Sequence, residues 1–160
     1  MHHPTHMPRS SAILSASSVF EPDLGELPDS IVELMALPEA VKKVQVSSGV
    51  MFHWAAKPGR KQNDLRGDTG TYQWVAKSAR AVICNPYALI RGKEPEKYQI
   101  IGRVEPPSSR YQTIKYFRLV LKYVPGQGKS RSGELWVSTW NAHSEKSVAR
   151  YLRQAVIVGI

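Results

Sequence analysis

The chain predicts an α+β fold, with N-terminal helices packed on a small antiparallel sheet of three to four strands and a C-terminal helix. Two observations carry that expectation. Helical periodicity and helix caps cluster before residue 86 and again after residue 143, whereas the stretch between them alternates β-branched and aromatic residues with polar ones. That stretch is broken by proline- and glycine-containing loops rather than by helices, which suits antiparallel neighbours and not βαβ units. At 160 residues the chain is long enough for one core.

Residues 1–28 are rich in Ser, Pro, His and acids without sustained periodicity, so they are expected to form a flexible segment ahead of a single basic domain over 29–160. Asp29 or Ser30 can cap a helix through Ile31, Val32, Leu34, Met35 and Leu37, which Pro38 interrupts. Pro38 suits the first turn of a second helix that carries Val41, Val44 and Gln45. Ser47–Lys57 is an apolar helical stretch ended by Pro58-Gly59, and 58–70 reads as a basic loop. Tyr72, Val75, Ala79 and Val82 lie at helical spacing, with Asn85-Pro86 as the stop. Strands are expected at Tyr98–Val104, Ile114–Val124 and Glu134–Asn141. Ser144 then caps a helix through Gln154 whose apolar face is Val148, Tyr151, Leu152 and Ala155, and AVIVGI is a short strand or a helix end.

Charge is distributed unevenly. Residues 1–40 hold one basic residue, Arg9, against six acids, a net −5, whereas residues 41–160 hold 21 Lys and Arg against seven acids, a net +14. A domain that repels itself this strongly is suited to holding a polyanion. One cysteine, Cys84, excludes an intramolecular disulfide and a cysteine-based zinc site. No apolar run reaches the roughly 18 residues of a transmembrane helix, and MHHPTHMPRSSAILSASS lacks the apolar stretch of a signal peptide. The expected place of action is the cytoplasm, either of the producing cell or of a target cell.

Strand side chains alternate between faces, so parity sorts them. In Ile114–Val124 the odd set of Phe117, Leu119 and Leu121 makes the better core face, leaving Tyr116, Arg118 and Lys122 on the other. In Glu134–Asn141 the same rule puts Leu135, Val137, Thr139 and Asn141 inward and Trp136, Ser138 and Trp140 outward. Thr139 changes sides only if the strand bulges. Cations interleaved with aromatics on one open sheet face are what single-stranded nucleic acid requires: phosphates meet the cations and unstacked bases meet the rings.

The sequence has no phosphate-binding loop, no dinucleotide fingerprint, and no His-Glu-x-x-His or Cys/His metal pattern. Carboxylates are sparse in the basic region, which disfavours a two-metal nuclease. No metal and no cofactor is therefore expected. RNA cleavage without a metal needs a proton acceptor for the 2′-hydroxyl, a cation for the charge that builds on phosphorus, and a proton donor for the leaving oxygen. Beyond the N-terminal segment the only histidines are His53, four residues before Lys57, and His143, beside Ser144.

The order of a His53-bearing helix, a helix running into ICNPYALI, and strands YQIIGRV, IKYFRLVLKYV and ELWVSTW resembles the barnase–EndoU–colicin–RelE class of small RNases. The versions found as phage-borne and polymorphic toxin domains are the nearest in pattern, and the resemblance spans roughly residues 45–142. Asn85-Pro86-Tyr87-Ala88-Leu89-Ile90 matches a turn of that group, and Ser138-Thr139-Trp140 matches its hydroxyl–aromatic strand end. The resemblance implies that His53 is the acid/base, Arg118 or Lys115 the transition-state cation, and Thr139 or Ser138 the phosphate-binding hydroxyl.

The expected function is thus a metal-independent endoribonuclease of toxin or effector type that cleaves single-stranded RNA or tRNA by 2′-hydroxyl attack. Lys57, Arg91, Lys115, Tyr116, Lys122, Trp136, Trp140 and His143 are the expected nucleic-acid contacts, to RNA more than DNA, and an acidic immunity or antitoxin protein is the expected protein partner. Two alternatives stand beside it: a non-catalytic nucleic-acid-binding module on the same face, or a basic interaction protein for an acidic partner. The enzyme requires His53 or His143 within a side-chain length of Arg118, and the others do not.

Overall fold

A computed structural model describes residues 23–47, 50, 72–91, 94–127 and 132–157. The fold is α+β. Its elements are β1 (Asp23–Glu26), α1 (Asp29–Met35), β2 (Lys43–Gln45), α2 (Tyr72–Cys84), β3 (Ala88–Arg91), β4 (Lys97–Arg103), β5 (Ile114–Val124), β6 (Glu134–Ser144), α3 (Glu145–Leu152) and β7 (Val156–Ile157), with a 3-10 turn at Ser109–Tyr111. The strands form one sheet in the order β1-β2-β6-β5-β4-β3-β7. The β2–β6 pair is parallel and every other pair antiparallel. The sheet is therefore mixed and wider than the three to four antiparallel strands expected.

The additional strands are short and lie towards the edges, where pattern is weakest. Lys43–Gln45 was expected to continue a helix from Pro38 and is instead β2. Val44 and Val46 are both buried while Gln45 between them is not, an alternation of period two with β-branched residues. Asp23–Glu26 falls in the stretch expected to be flexible, yet it pairs with β2 and sends Leu24 into the core. Gly25 has φ 111°, a conformation open to glycine, where the β1–β2 register shifts. Its N–H donates to Asp23 Oδ1 at 2.9 Å, and that bond, helped by Lys43, holds the Asp23 carboxyl below its usual value.

α1 begins at Asp29 as its sequence suggests, but the capping position is Pro28, whose carbonyl accepts from the N–H groups of Ile31 and Val32 at 3.0 and 3.2 Å. It ends at Ala36 in the left-handed region, φ 53°. β5 keeps the bounds that its pattern predicts, α2 ends at Cys84, just before the Asn85-Pro86 stop, and Ser144 caps α3 by accepting from the Ser147 N–H at 3.1 Å.

One core lies between the sheet and α1 and α2. It joins Ile31, Met35, Val75, Ala79, Val82 and Ile83 to Ile100, Phe117, Leu119, Leu121, Leu135 and Val137. Gly102 of β4 lets α2 approach closely, since a Cβ there would sit 2.6 Å from Val82 Cγ2. On the opposite face α3 covers only part of the sheet. Val148, fully buried, packs on Ala88, Ile90, Ile101 and Tyr116, flanked by Tyr87, Tyr151, Leu152 and Ala155. The rest of that face carries the polar residues.

Candidate nucleic-acid interface

Two irregularities between β5 and β6 decide which side chains share that face. Val120 pairs with Thr139 and Leu121 with Val137, so Ser138 is a bulge residue without a counterpart. From that point parity inverts. Trp140 turns into the core, 6% exposed, and stacks on Phe117 with ring centroids 5.3 Å apart. Thr139, Asn141 and His143 turn to the second face, opposite Val120, Arg118 and Tyr116. The expectation that Trp140 offers its ring to a base is corrected by this inversion. Thr139 lies on that second face, opposite Val120, while Ser138 is exposed at the bulge and outside the hydrogen-bonded cluster. A second shift, between Ile114 and Tyr116, leaves Lys115 exposed.

Arg118 is the centre of the site. It is half-buried in the middle of β5, and its guanidinium donates from Nη1 to Gln99 Oε1 and from Nη2 to Asn141 Oδ1, each at 2.7 Å. Its Nε–H points to Nε2 of His143 at 3.4 Å, and the Tyr151 ring lies 4.4 Å from its central carbon. A guanidinium only donates, so Nε2 of His143 is the acceptor and the ring hydrogen is on Nδ1. Nδ1 then donates to Ser147 Oγ at 3.1 Å, and Ser147 Oγ donates to the carbonyl of Ser144 at 3.2 Å. The chain Arg118–His143–Ser147–Ser144 is thus polarised in one direction. Its far half follows directly from the turn into α3, whose capping residue Ser144 and first-turn Ser147 are the last two members of the relay.

Tyr151 closes the site from α3. Its ring centroid is 5.3 Å from that of His143, and its hydroxyl accepts from Arg150 Nη2 at 3.0 Å. Further along the same face of β5, Lys122 is exposed and pairs with the half-buried Trp136, whose Nε1–H donates to Glu134 at 2.8 Å. Four residues of strand place Lys122 about 13 Å from Arg118. The face therefore runs from the His143–Arg118 cluster past Thr139 to Lys122 and Trp136.

Other sequence-predicted residues lie elsewhere. Tyr116, expected to be exposed, is buried beneath α3 at 9% exposure, because Val148 needs an apolar seat. Arg91 is exposed but donates from Nη2 to the Leu34 carbonyl, which ties it to the last turn of α1 on the helical side. His53 and Lys57 lie outside the described residues. Gln99, Asn141, Ser147 and Tyr151 were not among the sequence candidates. Gln99 shows a trace in sequence, as a polar residue between Tyr98 and Ile100, whereas Asn141 is assigned to the core by parity until the bulge is known.

Among the described residues no three His, Cys, Asp or Glu side chains converge on a point that could hold a metal ion. No helix among them is long and apolar enough to cross a membrane. Set beside protein-family models, characterised proteins and solved structures, the chain matches none of them.

Proposed function

We propose that the chain is a metal-independent endoribonuclease acting on single-stranded RNA, with its chemistry at His143 and Arg118. The observation that carries the reading is the 3.4 Å approach of Arg118 Nε to His143 Nε2 on an open sheet face beside Thr139. A proton acceptor beside a fixed cation supplies two of the three things that 2′-hydroxyl attack requires, and water can supply the third, the proton for the leaving oxygen. In this reading a non-bridging oxygen of the phosphodiester takes the Nε–H hydrogen bond of Arg118 in place of His143 and so frees Nε2. His143 Nε2 then takes the 2′-hydroxyl proton as the 2′-oxygen bonds to phosphorus. The bond from phosphorus to the 5′-oxygen breaks, that oxygen takes a proton from water, the His143 imidazolium returns its proton to solvent, and a 2′,3′-cyclic phosphate remains. Ser147 holds the imidazole by Nδ1, and Trp136 and Lys122 bind the strand further along.

Incubation of labelled single-stranded RNA with the protein in EDTA tests this. Cyclic-phosphate ends, lost in His143→Ala, are the expected result. No cleavage by the unmodified protein, with salt-sensitive RNA binding retained, would leave the same face as a binding module. Cleavage that persists in His143→Ala and disappears in His53→Ala would move the chemistry to His53.

A further inference from the structure

Arg118 fixes the orientation of two side-chain amides. Its guanidinium nitrogens have no acceptor capacity, so the 2.7 Å contacts require the oxygens of Gln99 and Asn141 to face it. Each amide therefore turns its NH2 group away from Arg118, and neither NH2 has a hydrogen-bond partner among the described residues. Both residues are only half-buried, so their hydrogens are within reach of a ligand. Register places them on one face: Gln99 pairs with Val120, Val120 with Thr139, and Asn141 is two residues beyond Thr139 on the same side. Three neighbouring strands thus contribute two amide NH2 groups, a hydroxyl and a guanidinium around Val120. The NH2 groups and the guanidinium can only donate, and the hydroxyl can donate as well. A surface of donors is complementary to a ligand made of acceptors, and a phosphate oxyanion is the common ligand of that kind.

We propose that the NH2 groups of Gln99 and Asn141 form, with Arg118 and Thr139, a cradle for the non-bridging oxygens of a phosphate. This deepens the ribonuclease reading and rests on it for the identity of the phosphate as an RNA phosphodiester. The two amides act doubly: their oxygens hold the guanidinium in place while their nitrogens bind the anion. Because both are uncharged, the cradle gains hydrogen bonds without adding to the charge already concentrated in the basic domain.

The test follows the side-chain NH2 resonances of Gln99 and Asn141, and the Nε–H resonance of Arg118, in the full chain. Titrants are inorganic phosphate and a single-stranded oligoribonucleotide with a 2′-O-methyl substitution at each sugar, which cannot be cleaved by 2′-hydroxyl attack. The expected result is that all three resonances move together and saturate at one affinity. Gln99→Met and Asn141→Leu, checked for native spectra, should each weaken phosphate binding at least about tenfold, since each removes a hydrogen bond to the charged anion as well as the one that holds Arg118. Movement of Arg118 Nε–H with both amides unmoved would overturn the cradle and leave Arg118 as the anion contact of an intact ribonuclease. No movement with either titrant would overturn it too. Saturable movement of all three in a protein that cleaves no RNA would sustain the cradle and reject the ribonuclease.

Discussion

Trp140 lies almost flat on Phe117, their ring planes 13° from parallel across the β5–β6 pair. The stack fills the core beneath α2, where Trp74 meets the edge of Phe117 at 5.7 Å. It also fixes which side chains of β6 face outward, because a strand that turns Trp140 inward must turn Thr139 and Asn141 outward.

The two tryptophans of β6 should consequently separate in effect. Trp140→Ala removes a buried aromatic and should cost roughly 3–5 kcal/mol of stability, seen as a lowered denaturant midpoint. Trp136→Ala should leave the midpoint almost unchanged and weaken single-stranded RNA binding by about 1–3 kcal/mol. Equal effects on stability would place Trp136 in the core and remove it from the interface.

Arg118→Lys keeps the charge and loses the fork that spans Gln99 and Asn141. Under the proposed function it should depress kcat more than it raises KM for RNA, since the planar geometry matters most when charge builds on phosphorus. His143→Ala should abolish turnover and leave RNA affinity within about twofold. Loss of affinity in His143→Ala equal to the loss of rate would point to a binding role for the imidazole.

Gly102 admits α2 to the sheet. A Cβ at this position meets Val82 Cγ2 at 2.6 Å and Val82 Cα at 3.3 Å, so rotating the valine alone does not make room. Gly102→Ala should destabilise by about 1–3 kcal/mol. Adding Val82→Ala should cost less than the two single changes together, which a double-mutant cycle in urea measures directly. Strict additivity would mean that the helix, rather than the valine side chain, moves.

Ala36 ends α1 with φ 53°, a region in which an L side chain is strained by about 1–2 kcal/mol. Ala36→Gly relieves that strain, and the added freedom of the unfolded chain offsets about 0.4–1 kcal/mol of the gain. A net stabilisation of about 0.5 kcal/mol is expected from thermal unfolding. A lower melting temperature would show that the turn after α1 is held by contacts of the Ala36 methyl.

The sequence by itself determined the helices α1, α2 and α3, the whole of β5, the inward set Phe117, Leu119 and Leu121, and the cap at Ser144. These rest on local signals: period, caps, and β-branched runs long enough to outweigh noise. Arg118 was legible for the same reason, since a cation in the middle of a long apolar strand stands out against its neighbours. Tertiary structure alone decided β1 and β2, each too short for its alternation to outweigh a competing reading, and the partners of Arg118. One unpaired residue, Ser138, moved Trp140 into the core, turned Thr139 to the face that carries Arg118, and brought Asn141 and His143 to the guanidinium. A bulge is set by how β6 fits against β5 and the stack on Phe117, which are contacts between residues 16 to 23 positions apart. Alternation within β6 carries no sign of them, so the strand was readable and its faces were not.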